Sequence, residues 1–116
     1  MIARALVQET GVILLDEPTS NLDLCHQMGV MEVLRGLAER TGLAVVIAIH
    51  DLNLAAAYCH RLMALKAGSV YSYGTPEEVL TEEMLRSVYG IEAVVKRDLA
   101  APYVVPVRGA RLQKEV

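Results

Sequence analysis

Two apolar runs of strand length constrain the fold of this chain most strongly. Residues 12–15 and residues 43–49 contain no polar side chain, and the second run is rich in β-branched residues. Strands without polar alternation are typical of central parallel strands that have helices on both faces. Between the runs, apolar residues recur at helical spacing from residue 30 to residue 38, and Thr41 and Gly42 supply an end signal. The pattern predicts a strand, helix, strand unit with parallel strands in an α/β fold.

Ionisable residues follow both apolar runs directly. Asp16 and Glu17 come after the first run, and His50 and Asp51 come after the second. Ligands bind such sheets beyond the carboxyl ends of the strands. Two adjacent acids at this place would repel the phosphates of a nucleotide, so we expect a cation between the acids and the phosphates. Magnesium is held by one or two carboxylates and keeps several waters. Because neighbouring strand residues point to opposite sides, we expect one carboxylate at the metal and the other at a reacting water.

The segments around this unit carry their own signals. Residues 1–10 have the spacing of a helix that ends at Thr10 and Gly11 but starts without a cap, so we expect the chain to be part of a longer one. A turn runs through residues 18–21, and Asp23 is placed to cap the next helix. A further helix should follow Asp51.

The second half of the sequence predicts short elements. Two strands should meet at Ala67 and Gly68, and Thr81 should cap the second of two short helical segments. A final hairpin should place Pro106 at an edge or a strand end.

Composition sets limits on the class of protein. A chain of 116 residues with 53% hydrophobic and 22% charged residues is globular and forms about one core. The net charge of -3 gives no electrostatic reason to expect nucleic acid. The longest apolar run falls far short of the roughly 18 residues of a membrane span, and the N-terminus has no secretion signal. The pairs Cys25-His26 and Cys59-His60 lack zinc-site spacing, so we interpret them as incidental helix residues.

Two longer stretches resemble one protein family. "VILLDEPTSNLD", followed by "AIHDLNLAA" with His50 placed 27 positions beyond Asp23, resembles the second half of an ABC-transporter ATPase subunit. "MIARALVQE" resembles the helix after the family's signature motif. The resemblance implies an α/β, partial P-loop NTPase (RecA-like) fold with mostly parallel core strands and without the N-terminal nucleotide-binding half. Residues 1–116 would form the C-terminal part of one ATPase domain: magnesium-site strand, D-loop, switch histidine, C-terminal helices and hairpin.

The same resemblance implies roles for single residues and two cofactors, ATP and Mg²⁺. Asp16 would hold the magnesium ion, and Glu17 would be the general base or water-orienting group for attack on the γ-phosphate. His50 would register the γ-phosphate. Ser20 and Asp23 belong to the D-loop, which contributes to nucleotide binding at the interface between two ATPase subunits.

The family's phosphate-binding half is missing from this sequence. A Gly-rich loop followed by Lys and Ser or Thr is needed to cradle phosphates, and none of the three lysines, Lys66, Lys96 and Lys114, follows such a loop. The glutamine loop and the signature motif are absent too. We therefore expect the chain alone to be inactive, either as a fragment of a full subunit or as a truncated, non-catalytic module that dimerises or binds the permease. A metal-dependent phosphohydrolase is disfavoured because a single short acidic cluster lies at a strand end.

The type of transporter also follows from resemblance. The run "HDLNLAA" and the late "VYGI" resemble the ATPases of importers for iron-siderophore, haem and cobalamin. Implied partners are a second ATPase subunit in a homodimer and the membrane-spanning permease subunits. The subunit would lie at the cytoplasmic face of the plasma membrane, attached through the permease, without nucleic acid and without inserting into the membrane.

Overall fold

The computed structural model describes residues 4–8 and 11–109. The chain divides into two compact units, Met1–Asp51 and Leu52–Val116. Among the described residues, the first unit contains three strands and one helix: β1 (Arg4–Gln8), β2 (Val12–Asp16), α1 (Leu24–Thr41) and β3 (Ala44–Ala48). The second contains seven elements and a π-helical turn (Leu85–Tyr89): α2 (Leu52–Tyr58), β4 (Leu62–Lys66), β5 (Ser69–Gly74), α3 (Pro76–Val79), α4 (Glu82–Met84), β6 (Ile91–Lys96) and β7 (Tyr103–Gly109).

The strand, helix, strand unit is confirmed in the first unit. β2 and β3 pair in parallel, with Asp16 opposite Ala48, and α1 connects them and contacts β3. The Asp23 side chain caps α1 by accepting a hydrogen bond from the backbone N–H of His26. Gly42 ends the helix in the left-handed conformation, φ 73°, which glycine adopts without a Cβ penalty.

The predicted N-terminal helix is wrong. Residues 4–8 form β1, which pairs antiparallel with β2 and completes a sheet of order β1-β2-β3. Gly11 has φ 77° directly before β2, a conformation suited to a tight chain reversal. The edge of β2 offers a row of backbone donors and acceptors, and pairing with it satisfies the backbone groups of residues 4–8 that face β2.

The predicted α/β class is confirmed, but the sheets of the described residues are small and mixed instead of mostly parallel and covered on both faces. The only parallel pair among the described residues is β2 with β3, while β1, the β4-β5 pair and the β6-β7 pair are antiparallel. One face of the first sheet is open, since Leu14 is 38% and Val46 51% exposed. The apolar runs lack alternation, yet the described residues supply one helix, α1, to this sheet, so one face is covered and the other is not.

The second unit is built from two hairpins and short helices. Ala67 and Gly68 join β4 to β5, and both have positive φ, as the two-residue turns that match strand twist require. Pro106 lies in β7, opposite Ala93 and beside a register shift, in a two-stranded sheet where every strand is an edge. Both predictions for these hairpins are confirmed, and the edge position suits a residue without an N–H.

Short helices close the core of this second unit. Thr81 caps α4, as the sequence predicted, and Thr75 caps α3 in a capping box with Glu78. α3 contacts β4 and β5, and α4 contacts β6. The buried cluster comprises Ala56, Ala64, Val79, Leu80, Met84, Leu85 and Val104. Within the described ranges, no helix has both the length and the apolar character to cross a membrane.

Candidate functional site

The site begins where β2 ends. Asp16 is the last strand residue and is exposed, and Glu17 turns out of the strand with φ 50°. The backbone N–H of Glu17 still donates to the carbonyl of Ala48 at 2.9 Å, which ties this position to the end of β3. The left-handed conformation is uncommon for a residue with a side chain. It breaks the strand alternation, so the relative directions of the two carboxylates are set by this turn.

Glu17 and His50 meet across the ends of the two parallel strands. The His50 Nε2 atom lies 3.0 Å from Glu17 Oε1, although 33 positions separate the residues in the sequence. The Glu17 side chain is 19% exposed and that of His50 is 94% exposed. A half-buried carboxylate is thus held against an imidazole that faces open space. An imidazole with one ring nitrogen on a carboxylate keeps its second nitrogen available to another group.

The turn after Glu17 is fixed by hydrogen bonds around its backbone. The Ser20 N–H donates to the Glu17 carbonyl at 3.2 Å, and the Leu22 N–H donates to the Thr19 carbonyl at 3.3 Å. The same Thr19 carbonyl accepts from Gln27 Nε2 at 3.4 Å. Thr19 is 4% exposed. The turn is therefore tied at one end to the strand and at the other to α1.

Asp23 is engaged at the start of α1. Its Oδ1 atom accepts from the His26 backbone N–H at 2.9 Å and lies 2.7 Å from His26 Nδ1. These hydrogen bonds, the backbone one foremost, lower the pKa of the Asp23 carboxyl from its ordinary value of 3.8. In this chain Asp23 is an ionised helix cap.

The structure brings together some of the predicted site residues. Asp16, Glu17 and His50 share the carboxyl ends of two neighbouring strands, and Ser20 lies in the turn that follows. Asp23 lies farther along, at the helix start. Sequence reasoning missed the contribution of Gln27 altogether. Its position one helical turn after a capping residue was the available signal, because residues four apart share a helix face.

The donor set at the strand ends is suited to a hard cation. Asp16 presents an exposed carboxylate beside that of Glu17, and magnesium takes one or two carboxylates while keeping several waters. Over residues 4–8 and 11–109, no three His, Cys, Asp or Glu side chains cluster as a ready-made metal site. The residues present fit a magnesium ion that is completed by water and phosphate. By themselves they cannot bind the phosphates of a nucleoside triphosphate, because the sequence has no Gly-rich loop followed by Lys.

Comparison with known proteins finds relatives that match most of this chain. It is 44% identical over 107 residues to the petrobactin import ATP-binding protein FpuC of Bacillus anthracis, covering 92% of this chain and 39% of that protein. It is 48% identical over 112 residues to the hemin import ATP-binding protein HmuV of Rhodococcus jostii, covering 95% and 38%. It is 46% identical over 100 residues to the cobalamin import ATP-binding protein BtuD of Halobacterium salinarum, covering 86% and 25%. This chain is a portion of an ABC transporter ATP-binding subunit.

These relatives are named for petrobactin, hemin and cobalamin import, which agrees with the importer type that the sequence resembles. This chain spans about 40% of the length of the first relatives it matches. A solved metal-chelate-type ABC transporter in an inward-facing conformation superposes with a TM-score of 0.74 at 29% identity, over 84% of this chain and 40% of that one. No protein-family model matches the chain.

Proposed function

We propose that residues 1–116 are the C-terminal part of one ATPase domain, whose full subunit hydrolyses ATP to power uptake of iron-siderophore, haem or cobalamin. Relatives named for petrobactin, hemin and cobalamin import support this cargo class. The subunit acts as a homodimer attached to permease subunits at the cytoplasmic face of the plasma membrane. Because this chain spans 39% of the petrobactin import relative and carries no Gly-rich loop with its Lys, the remainder of the subunit supplies the phosphate cradle.

The contact between Glu17 and His50 carries the proposal. The carboxylate and the imidazole lie 3.0 Å apart at the ends of adjacent parallel strands, which is the edge where ligands bind in such sheets. Glu17 orients the attacking water and accepts its proton. One ring nitrogen of His50 contacts the Glu17 carboxylate, and the other contacts the γ-phosphate. Glu17 therefore orients the imidazole as well as the attacking water.

The other predicted residues complete the assignment. Asp16 holds magnesium, which when bound offsets charge on the phosphates. Ser20 and Asp23 lie in the segment that faces a second ATPase subunit and its nucleotide. The turn between them is short and hydrogen-bonded to Glu17 at one end, which supports a mechanical link between the subunit interface and the water-handling carboxylate.

The decisive experiment uses the full-length subunit that carries this sequence. Glu17→Gln keeps the shape of the side chain and removes the base, so the ATPase rate should fall by about 10² or more while binding of ATP with magnesium stays within about twofold. The matched control is Glu39→Gln, an exposed glutamate on α1 whose ion pair with Arg35 contributes little. This control should hydrolyse ATP at the wild-type rate.

Equal loss of binding and hydrolysis in Glu17→Gln would contradict the role given to Glu17. An unchanged rate would contradict it more directly. The cargo class is tested separately by uptake of a radiolabelled metal chelate in cells that carry the intact transporter, where import of a sugar alone would overturn the assignment.

A further inference from the structure

The turn of residues 17–22, between β2 and α1, contains two residues in an uncommon backbone conformation. Glu17 has φ 50° and Asn21 has φ 65°, values that glycine adopts far more readily than residues with a side chain. Other residues stay in this region only where surrounding contacts hold them there. The backbone that carries the Glu17 carboxylate therefore depends on contacts that hold the turn from outside.

Thr19 lies midway between these two residues and is buried, with 4% of its surface exposed. Its carbonyl oxygen accepts two hydrogen bonds, from the Leu22 N–H at 3.3 Å and from Gln27 Nε2 at 3.4 Å. A carbonyl oxygen has two lone pairs, and both are engaged here. The bond from Leu22 lies within the turn, whereas the bond from Gln27 fastens the turn to a regular element, α1.

Gln27 is a polar residue on the apolar side of α1. It is half-buried, while the residues directly before and after it are exposed. It shares one helix face with apolar residues that are buried or half-buried: Val30, Met31 and Leu34. A polar side chain in such a position costs free energy unless its polar atoms are hydrogen-bonded. The bond from Nε2 to the Thr19 carbonyl meets this requirement and gives a physical reason for glutamine here.

Gln27 contacts the segment before the helix at two points. Its backbone N–H donates to the Asp23 carbonyl at 2.9 Å, and its side chain reaches back eight positions to Thr19. The next residue of the turn, Ser20, donates its N–H to the Glu17 carbonyl at 3.2 Å. A short series of hydrogen bonds therefore connects α1, through the turn, to the backbone of Glu17.

We propose that Gln27 is a positioning residue for ATP hydrolysis: it holds the turn of residues 17–22 in the backbone conformation that orients the Glu17 carboxylate. Gln27 contacts neither the nucleotide nor the attacking water and acts through the Thr19 carbonyl. The inference rests on the proposed role of Glu17. Without the Gln27 bond, the turn relaxes from its two left-handed residues, and the carboxylate moves away from the water. A displacement of about 1 Å at a reacting group can lower a rate by as much as about 10².

Steady-state kinetics of the full-length subunit test the inference. Gln27→Met keeps an unbranched side chain of similar length and removes the N–H donor. The kcat for ATP hydrolysis should fall by about threefold to tenfold, while the KM for ATP stays within about twofold, because the change affects the orientation of Glu17 and not the binding of phosphates. Val33→Met is the matched control, since Val33 is 66% exposed on the same helix, and it should keep the wild-type kcat.

Two further measurements distinguish positioning from a purely structural role. The urea midpoint of Gln27→Met should stay close to that of the wild type, because methionine is a good helix former and extends the apolar face of α1. Hydrogen exchange of the Ser20 and Leu22 amides, which bond within the turn, should become faster by about threefold to tenfold. Exchange of the amides in β2 should not change.

A wild-type kcat in Gln27→Met, measured beside an inactive Glu17→Gln, would overturn this inference and leave the proposed role of Glu17 in place. A wild-type rate in Glu17→Gln would instead overturn the proposed function, and the inference with it. A urea midpoint and a kcat that fall together would make Gln27 purely structural and would also overturn the inference. If Gln27→Met does not fold, Gln27→Glu decides, because it keeps the size of the side chain, lacks the N–H donor and should show the same loss of kcat.

Discussion

At the scale of the residue, the Asp23 carboxylate caps the helix that begins at the next residue. Its Oδ1 atom takes the backbone N–H and the ring Nδ1 of His26, and both hydrogen bonds favour the ionised form. A negative charge at this position also suits the positive end of the α1 dipole. The helix therefore starts with a cap whose strength depends on ionisation.

We predict a pH-dependent contribution from this cap. The pKa of Asp23 is lower in the folded chain than its ordinary value of 3.8, so the stabilisation is present above that value and is lost as pH falls through the lower folded pKa. Asp23→Asn keeps a capping oxygen without a charge. Urea unfolding should show the wild type more stable than Asp23→Asn near about pH 6, with the difference shrinking towards about pH 3.

The outcome that contradicts this prediction is a difference between wild type and Asp23→Asn that stays constant over the same pH range. Asp23→Ala, which has no capping oxygen, should be less stable than Asp23→Asn at both pH values.

At the scale of the element, α2 is held to β7 by one amide side chain. Asn53 Nδ2 donates to the Val104 carbonyl at 3.2 Å, and Asn53 Oδ1 accepts from the Val104 N–H at 2.6 Å. Val104 is buried, and Pro106 two positions later has no N–H to give the hairpin. The amide thus satisfies both backbone groups of a residue in the buried cluster of the second unit.

Asn53→Ala should lower the free energy of unfolding by about 1 to 3 kcal/mol, because it leaves a buried donor and a buried acceptor without partners. Asn53→Asp keeps the oxygen acceptor and should lose less. The measurement is urea unfolding at neutral pH, together with hydrogen exchange of the Val104 amide. Unchanged exchange at Val104 in Asn53→Ala would show that this link does not protect the hairpin.

At the scale of the whole molecule, the sequence contains the two acids and the imidazole of the proposed nucleotide site but no Gly-rich loop with its Lys. Positioning and electrostatic stabilisation by loop amides and a lysine account for most of phosphoryl-transfer catalysis. Asp16, Glu17 and His50 add two acids and an imidazole, and the whole sequence carries a net charge of -3. Nothing in that charge balance attracts a polyphosphate.

Calorimetric titration of the 116-residue chain with magnesium and a slowly hydrolysed ATP analogue should therefore show no heat of binding at micromolar concentrations. The full-length subunit, titrated in parallel, should bind. Clear micromolar binding by the short chain would mean that it contains a phosphate-binding site without a recognisable sequence motif.

The sequence by itself determined the local structure of the β2-α1-β3 unit, the helix caps and the hairpins. Uninterrupted apolar runs specify strands, and caps such as Asp23 and Thr81 specify where helices begin, because both depend on neighbours in the chain. It also brought the ends of β2 and β3 together, since a strand, helix, strand unit aligns its strands in parallel.

Only the tertiary structure decided what lies beside those elements. The N-terminal segment has helical spacing, yet residues 4–8 pair with the open edge of β2, because edge pairing satisfies every second backbone group at once. One face of the β1-β2-β3 sheet remains exposed, because burial depends on what packs against a strand and not on the strand's own residues. The contact of Glu17 with His50 depends on a left-handed turn at Glu17, which no local pattern specifies and which the hydrogen bond from the Glu17 N–H to the Ala48 carbonyl helps to hold in place.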